Sequence, residues 1–297
     1  MVVIITNKSG QLGNRIIIFA HFIVNACEYG YIVFNPSFDE YADYFKGSCS
    51  RVLIQYPKKM NFLKKTGPSL VKILRKLIFT NINLATIFLK KMHFKETQFH
   101  ELIHLNNDEQ QFELNNTIYQ DLVVLKKIIL ISGWRFRDIH NFSKYKELIK
   151  DYFEPVGDYK QIINDFIKRI RTNCDILIGV HIRRGDYQNW MGGKYYFQDA
   201  VYSEYMKQLE GIFPNRKIKF LMCSNEIIND ASFSNFRISM GLNHELMDMY
   251  SLAQCDFLIG PPSTFTNWAS IYGNVPLYKI RDADSIITLE NFEVIQY

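Results

Sequence analysis

Residues 175–187 read DILIGVHIRRGDY. Asp175 to Ile182 reads as a short apolar strand, the pattern of one covered on both faces of a parallel sheet. It stops at Arg183 and Arg184, followed by Gly185 and Asp186. Open α/β sheets bind ligands just beyond the carboxyl ends of their strands, so two permanent charges stand at a ligand position. Guanidinium forks match phosphate oxygens bidentately. The residues therefore read as a diphosphate clamp, with Asp186 holding an arginine or the loop. A solvated loop with a surface ion pair fits the same residues equally well.

Outward from that strand the alternation continues. Tyr159–Arg171, His244–Cys255 and Phe265–Gly273 read as helices, and Ile218–Cys223, Phe257–Gly260 and Val275–Ile280 as short buried strands. The first half opens the same way. Val2–Thr6 is a strand, Lys8–Asn14 a glycine-containing loop, Arg15–Tyr29 a helix stopped by Gly30, and Tyr31–Asn35 a second strand; Lys126–Ser132 is a further one. Turn chemistry at Glu154–Asp158 marks a boundary. The prediction is α/β, with two doubly wound, Rossmann-type domains of parallel sheet facing each other, residues 1–155 and 156–297.

Two more loops carry candidate chemistry. Residues 260–268 read GPPSTFTNW, following a strand and opening a helix, so Ser263 or Thr264 caps a helix whose free N–H groups suit an anion. Residues 9–15 read SGQLGNR, where Gly10 and Gly13 let backbone approach a ligand. That loop is neither a dinucleotide fingerprint nor a P-loop, and a plain strand–helix turn accounts for it as well.

Charge is uneven. Residues 58–95 hold ten lysines and arginines and no acid, which leaves the remaining residues at a net −5. This excludes a generally basic, nucleic-acid-coating protein. Within the segment Leu70, Ile73, Leu74, Leu77 and Ile78 form an apolar stripe, with Lys72, Arg75 and Lys76 opposite. The pattern is a basic amphipathic helix, either packed on the domain or lying on anionic lipid. Five cysteines without a CxxC pair suit a reducing compartment, no run of 18 apolar residues occurs, and residues 1–6 lack signal-peptide character.

Taken together, four motifs in order resemble a known family. GVHIRRGDY carries the HxRRxD motif of the α1,2-/α1,6-/O-fucosyltransferase superfamily. GQLGN is similar to its N-terminal G-x-x-GN loop, ELMDMYSLAQCDFLIGPPSTFTNWASIYG to its helix, strand and S-T-F-x-x-W block, and LMCSNE to its strand ending in an acidic pair. The set looks most like the bacterial α1,2-fucosyltransferases of glycosyltransferase family 11, over residues 1–35 and 176–280. The resemblance implies a GT-B-like fold, with an N-terminal acceptor-side domain carrying the basic insertion 58–95 and a C-terminal domain binding GDP-fucose. It implies inverting, metal-independent transfer of L-fucose to a sugar hydroxyl, with no cofactor.

By the same resemblance Arg183, Arg184 and Asp186 serve catalysis. His181, Asn225, Ser263, Thr264 and Phe265 bind the donor, joined by Gly10, Gly13 and Asn14. The implied partner is a glycan acceptor, lipid-linked in some relatives, with peripheral contact to anionic membrane through 58–95. That places the protein in the cytoplasm, at the inner membrane face. Two departures stand out: Asn225–Glu226 replaces the acidic pair, and Thr266-Asn267-Trp268 replaces Ser-Trp-Trp, removing one aromatic wall. A transferase of another GDP-deoxysugar and a non-catalytic binding protein are the competing readings.

Other residues carry less. Asp282 and Asp284 form a DxD that reads as a solvated tail loop. His100 and His104, four apart, suit one helix face but lack a third zinc ligand. Trp134-Arg135-Phe136-Arg137 follows a strand and suits either an acceptor cleft or rim packing.

Overall fold

The computed structural model describes residues 1–58, 67–91, 100–105 and 111–297. The chain divides into two compact units, residues 1–156 with Tyr297, and residues 157–296. Lys59, Lys64, Lys65 and Lys95 of the basic segment lie outside the described residues.

In the first unit β1 (Val2–Ile5) leads into α1 (Leu12–Tyr29), β2 (Ile32–Phe34), β3 (Gln55–Tyr56) and α2 (Pro68–Lys91). Then follow β4 (His100–His104), β5 (Phe112–Glu113), α3 (Thr117–Leu125), β6 (Ile128–Ser132), β7 (Phe136–Arg137), α4 (Ile139–Phe142) and α5 (Lys146–Tyr152). The main sheet runs β3-β2-β1-β6-β4, parallel except for β3. Helix α1 is buried from Leu12 to Ala26, apart from Asn14, and ends on Gly30 in the left-handed region, where a side chain would be strained. It begins three residues before the sequence-predicted start. Gly10 turns the chain at φ +64°, so Leu12, Gly13 and Asn14 already form its first turn.

The second unit comprises α6 (Gly157–Ile170), β8 (Ile176–Ile182), α7 (Asp199–Ile212), β9 (Ile218–Ser224), β10 (Ile238–Met240), α8 (Glu245–Leu252), β11 (Phe257–Gly260), α9 (Thr264–Gly273) and β12 (Leu277–Lys279). Its sheet is all parallel, in the order β10-β9-β8-β11-β12. The chain moves outward from β8 to β9 and β10, then returns to β8's other side with β11. The order reverses between β8 and β11, where doubly wound sheets open a crevice. Ile178, Val180 and Ile182 pack one core face, while Leu177, Gly179 and His181 are buried on the other. Gly179 is required there: a Cβ would stand 2.5 Å from Leu252 and 2.6 Å from Leu258.

Two expectations are corrected in the first unit. His100 and His104 bound strand β4, not a helix. Two residues four apart share a face in either structure, so their spacing does not separate the two. Arg75 is not on the polar face of α2. It is 1 % exposed and bonds Asp43 at 2.8 Å, the carbonyl of Arg51 at 2.6 Å and that of Ser48 at 3.1 Å. The helix packs through Val71, Arg75 and Thr86, leaving Leu70, Ile73 and Leu77 more than half exposed. Three hydrogen-bonded partners make the guanidinium an inward-facing group despite its charge.

Candidate active site

The loops after β8, β9 and β11 bring together His181, Arg183, Arg184, Asp186, Asn225, Ser263, Thr264 and Phe265 at the carboxyl end of the second sheet. Each loop is tied to another. The Arg184 N–H donates to Asn225 Oδ1 at 2.8 Å, joining the β8 and β9 loops. The Tyr187 hydroxyl donates to the Pro262 carbonyl at 2.6 Å, joining the β8 and β11 loops. Gly185, at φ +59°, makes the turn between the arginines and the short 3-10 helix that follows.

The two arginines divide their work. Arg184 turns into the protein, donating to the carbonyl of Phe197 and to the carboxylate of Asp199, and it lies over the Tyr196 ring at 5.3 Å. Its charge is already matched, so it anchors the loop. Arg183 pairs with Asp186 at 2.8 Å and lies 5.3 Å from the Tyr187 ring. Asp186 is over half exposed, so that pair is weak and open to exchange with an incoming anion.

His181 is 3 % exposed, stacks on Phe265 with centroids 4.9 Å apart, and has no hydrogen-bond partner at Nδ1 among the described residues. Burial, reinforced by Arg183, pushes its pKa down to about 3, so the ring is neutral at cellular pH. Gly260 makes this possible, because a Cβ there would lie 2.8 Å from the His181 carbonyl. Ser263 caps α9, its Oγ accepting the Phe265 N–H at 3.1 Å, and Thr264 is the first helical residue. The helix thus points its N-terminus at the rim that holds Arg183.

The other sequence-predicted residues are placed as follows. Asn225, expected near a base, has its Oδ1 committed to the Arg184 backbone. Trp268 is fully buried and donates its indole N–H to the Tyr250 hydroxyl at 3.1 Å, so it is core rather than a cleft wall. Gly10, Gly13 and Asn14 belong to the first unit, at the end of β1. At φ +64° a side chain on Gly10 would be strained, and its Cβ would displace the Asn14 amide, 2.1 Å away. Asp282 accepts from the Ser285 hydroxyl at 2.7 Å and from the Asp284 N–H at 3.1 Å, closing a local turn. Among the described residues no group of three His, Cys, Asp or Glu is placed to hold a metal ion.

Sequence reading missed two supports. Arg15 bridges the Gly10 carbonyl at 3.0 Å and Glu40 at 2.7 Å, fixing the N-terminal loop. Asp248, 6 % exposed, accepts the Leu242 N–H at 2.6 Å and shapes the loop after β10, with burial pushing its pKa up to about 6. A buried carboxylate on an apolar helix face was the signal available for it.

The family model of glycosyl transferase family 11 matches residues 70–281, well over half of the sequence. The chain belongs to glycosyl transferase family 11. The match reaches back across 70–150, which the four motifs leave uncovered, and it excludes the glycine loop at Gly10. Comparison with curated proteins gave no match. Solved structures of similar fold include a point mutant of Arabidopsis thaliana FUT1 in complex with GDP. Identity is 15 %, coverage 97 % of this chain and 72 % of that one, and TM-score 0.60. Fucosyltransferase NodZ from Bradyrhizobium aligns at 15 % identity over 99 % of this chain and 98 % of its own, TM-score 0.55. POFUT1 aligns at 10 % identity, covering 92 % and 94 %, TM-score 0.53. This family 11 member therefore has the α/β, GT-B-like fold of those fucosyltransferases, with a Rossmann-type sheet in each unit, and is a glycosyltransferase.

Proposed function

We propose that this family 11 chain is an inverting, metal-independent fucosyltransferase. It moves L-fucose from GDP-β-L-fucose to a hydroxyl, galactose O2, of a surface polysaccharide or oligosaccharide. The single observation that carries the reading is Arg183 at the β8–β11 reversal, next to the N-terminus of α9. Support also comes from the FUT1 complex with GDP and from NodZ alpha-1,6-fucosyltransferase, solved after soaking with GDP-fucose.

In this reading the acceptor hydroxyl oxygen attacks the anomeric carbon from the face opposite the nucleotide and gives up its proton to solvent. The bond to the β-phosphate oxygen breaks, and its electron pair leaves with GDP. Arg183 and the N-terminal dipole of α9 stabilise the growing phosphate charge, the role a metal ion plays elsewhere. Arg184 and Asn225 hold the loop that carries Arg183, and Asp186 orients that arginine until donor displaces it. Neutral His181, stacked on Phe265, adds no charge beside the sugar cation. A lipid-linked acceptor would bring this cytoplasmic enzyme to the inner membrane face.

A second donor is favoured by one observation. Asn225, engaged with backbone where an acid is common, bears on the base contact, while Asn267, standing where a tryptophan is common, bears on the sugar and fits another GDP-deoxysugar. Turnover of GDP-fucose, GDP-mannose and UDP-galactose, with and without EDTA, tests the reading. The expected result is highest turnover with GDP-fucose, unchanged by EDTA. GDP binding without turnover of any donor would make the chain a binding protein. Loss in EDTA restored by Mn²⁺ would sink metal independence.

A further inference from the structure

Helix α2 is two-sided in a way the donor chemistry does not use. Its inner face is pinned at both ends. Arg75 bonds Asp43 and two carbonyls near the start. Near the end Lys90 Nζ donates to Ser132 Oγ at 2.8 Å and lies 3.1 Å from His104 Nδ1. Its outer face carries Leu70, Ile73, Leu77, Leu84, Ile87 and Phe88, each 42–63 % exposed. From Leu70 to Phe88 that stripe runs about 27 Å along the helix. Exposed large apolar side chains occur singly on most proteins, whereas two clusters on one helix face, Leu70–Leu77 and Leu84–Phe88 with Thr80 and Asn81 between them, mark an interaction surface.

We infer that the outer face of α2 rests on an anionic membrane surface, its apolar row in the headgroup–acyl boundary and its lysines among the headgroups. Charge selects this occupant over a second copy of the chain. The outward cations Lys72, Lys76 and Lys91 stand on a helix with no acid, Lys72 lying 3.9 Å from Asp43, so two apposed copies would bring like charges together. Exposed Lys72, Lys76 and Lys91 flank the row, as in helices that lie in the interface. No helix among the described residues is long and apolar enough to cross a membrane, so α2 lies on the surface. Its last turn is bonded to Ser132 at the carboxyl end of β6, which holds that rim of the first unit beside the lipid.

The test is co-sedimentation of the full chain with vesicles of phosphatidylcholine, alone or with roughly one-third phosphatidylglycerol. Binding to the anionic vesicles is expected, at least about tenfold weaker on the neutral ones and weakening as salt rises. Leu77→Gln with Phe88→Gln, and Lys72→Gln with Lys76→Gln and Lys91→Gln, should each weaken it about tenfold with an unchanged thermal midpoint. Arg75 is left intact because it supports the fold. Equal binding to both vesicles, binding to neither, or wild-type binding by both variant sets would overturn the inference. So would a concentration-dependent dimer in lipid-free buffer that the Leu77 and Phe88 changes abolish, which gives the face to a second copy. Vesicle binding needs no sugar transfer, so its outcome is independent of the donor reading.

Discussion

Helix α2 and the rim of the second sheet use arginine in opposite directions. At the rim, Arg184 turns inward to Asp199 and the Phe197 carbonyl, while Arg183, itself largely covered, pairs with an aspartate that is over half exposed. On α2, Arg75 turns inward to Asp43, Arg51 and Ser48, and what remains at the open edge is apolar. In both places a buried guanidinium fixes a segment so that a different group can face outward. In the readings proposed above, a guanidinium serves a phosphate in one case and an apolar row serves a lipid surface in the other.

The comparison breaks first on the buried groups of α2. Val71→Asp should cost more than about 4 kcal/mol, because it buries an unpaired charge. Arg75→Met should cost about 3 kcal/mol by leaving Asp43 and two carbonyls without their partner. Leu70→Asp, one residue from Val71 but half exposed, should stay within about 0.5 kcal/mol of wild type. Urea denaturation of the three variants checks the order. If Leu70→Asp unfolds the chain while Val71→Asp does not, the faces of α2 are assigned the wrong way round.

A smaller effect sharpens the account of the rim. His181 titrates near 3 in the fold against an ordinary value of about 6.5, so between those pH values only the unfolded chain takes up the proton. Its contribution is complete above pH 6.5 and is lost as pH falls below it. Asp248, raised to about 6, has the opposite sign: the fold binds the extra proton between about pH 6 and 4, so acidification favours it there. Wild type should therefore change little in stability from pH 6 to 4 through these two groups. His181→Phe should gain on wild type by about 2 kcal/mol between pH 7 and 5, at roughly 1.4 kcal/mol per pH unit. Parallel stability curves for the two proteins would remove His181 as a buried neutral ring.

The second unit was the more legible one. Strands covered on both faces appear as short, mainly apolar runs, so β8, β9, β11 and β12 are readable to within two residues at each end. The arginines at the end of β8 were visible for the same reason, since charge immediately after such a run has few places to go. Their division of labour was not visible, because it depends on Phe197 and Asp199 thirteen and fifteen residues away. Strand β10 was missed because its three residues, Ile238–Met240, are partly exposed at a sheet edge. On α2, periodicity announced two faces without saying which one meets protein. An arginine reads as solvent-facing until three acceptors from distant loops are placed around it.

The central claim is that Arg183 meets the donor diphosphate while Arg184 holds the loop. Steady-state turnover of GDP-fucose by wild type, Arg183→Ala and Arg183→Lys tests it most directly, with the thermal midpoint of each variant measured alongside. The account predicts a loss of roughly 10²–10³ in Arg183→Ala, about 3–4 kcal/mol of transition-state stabilisation, at an unchanged midpoint. Lysine should not restore it, because a point charge does not replace the fork. Wild-type turnover in both variants would contradict it.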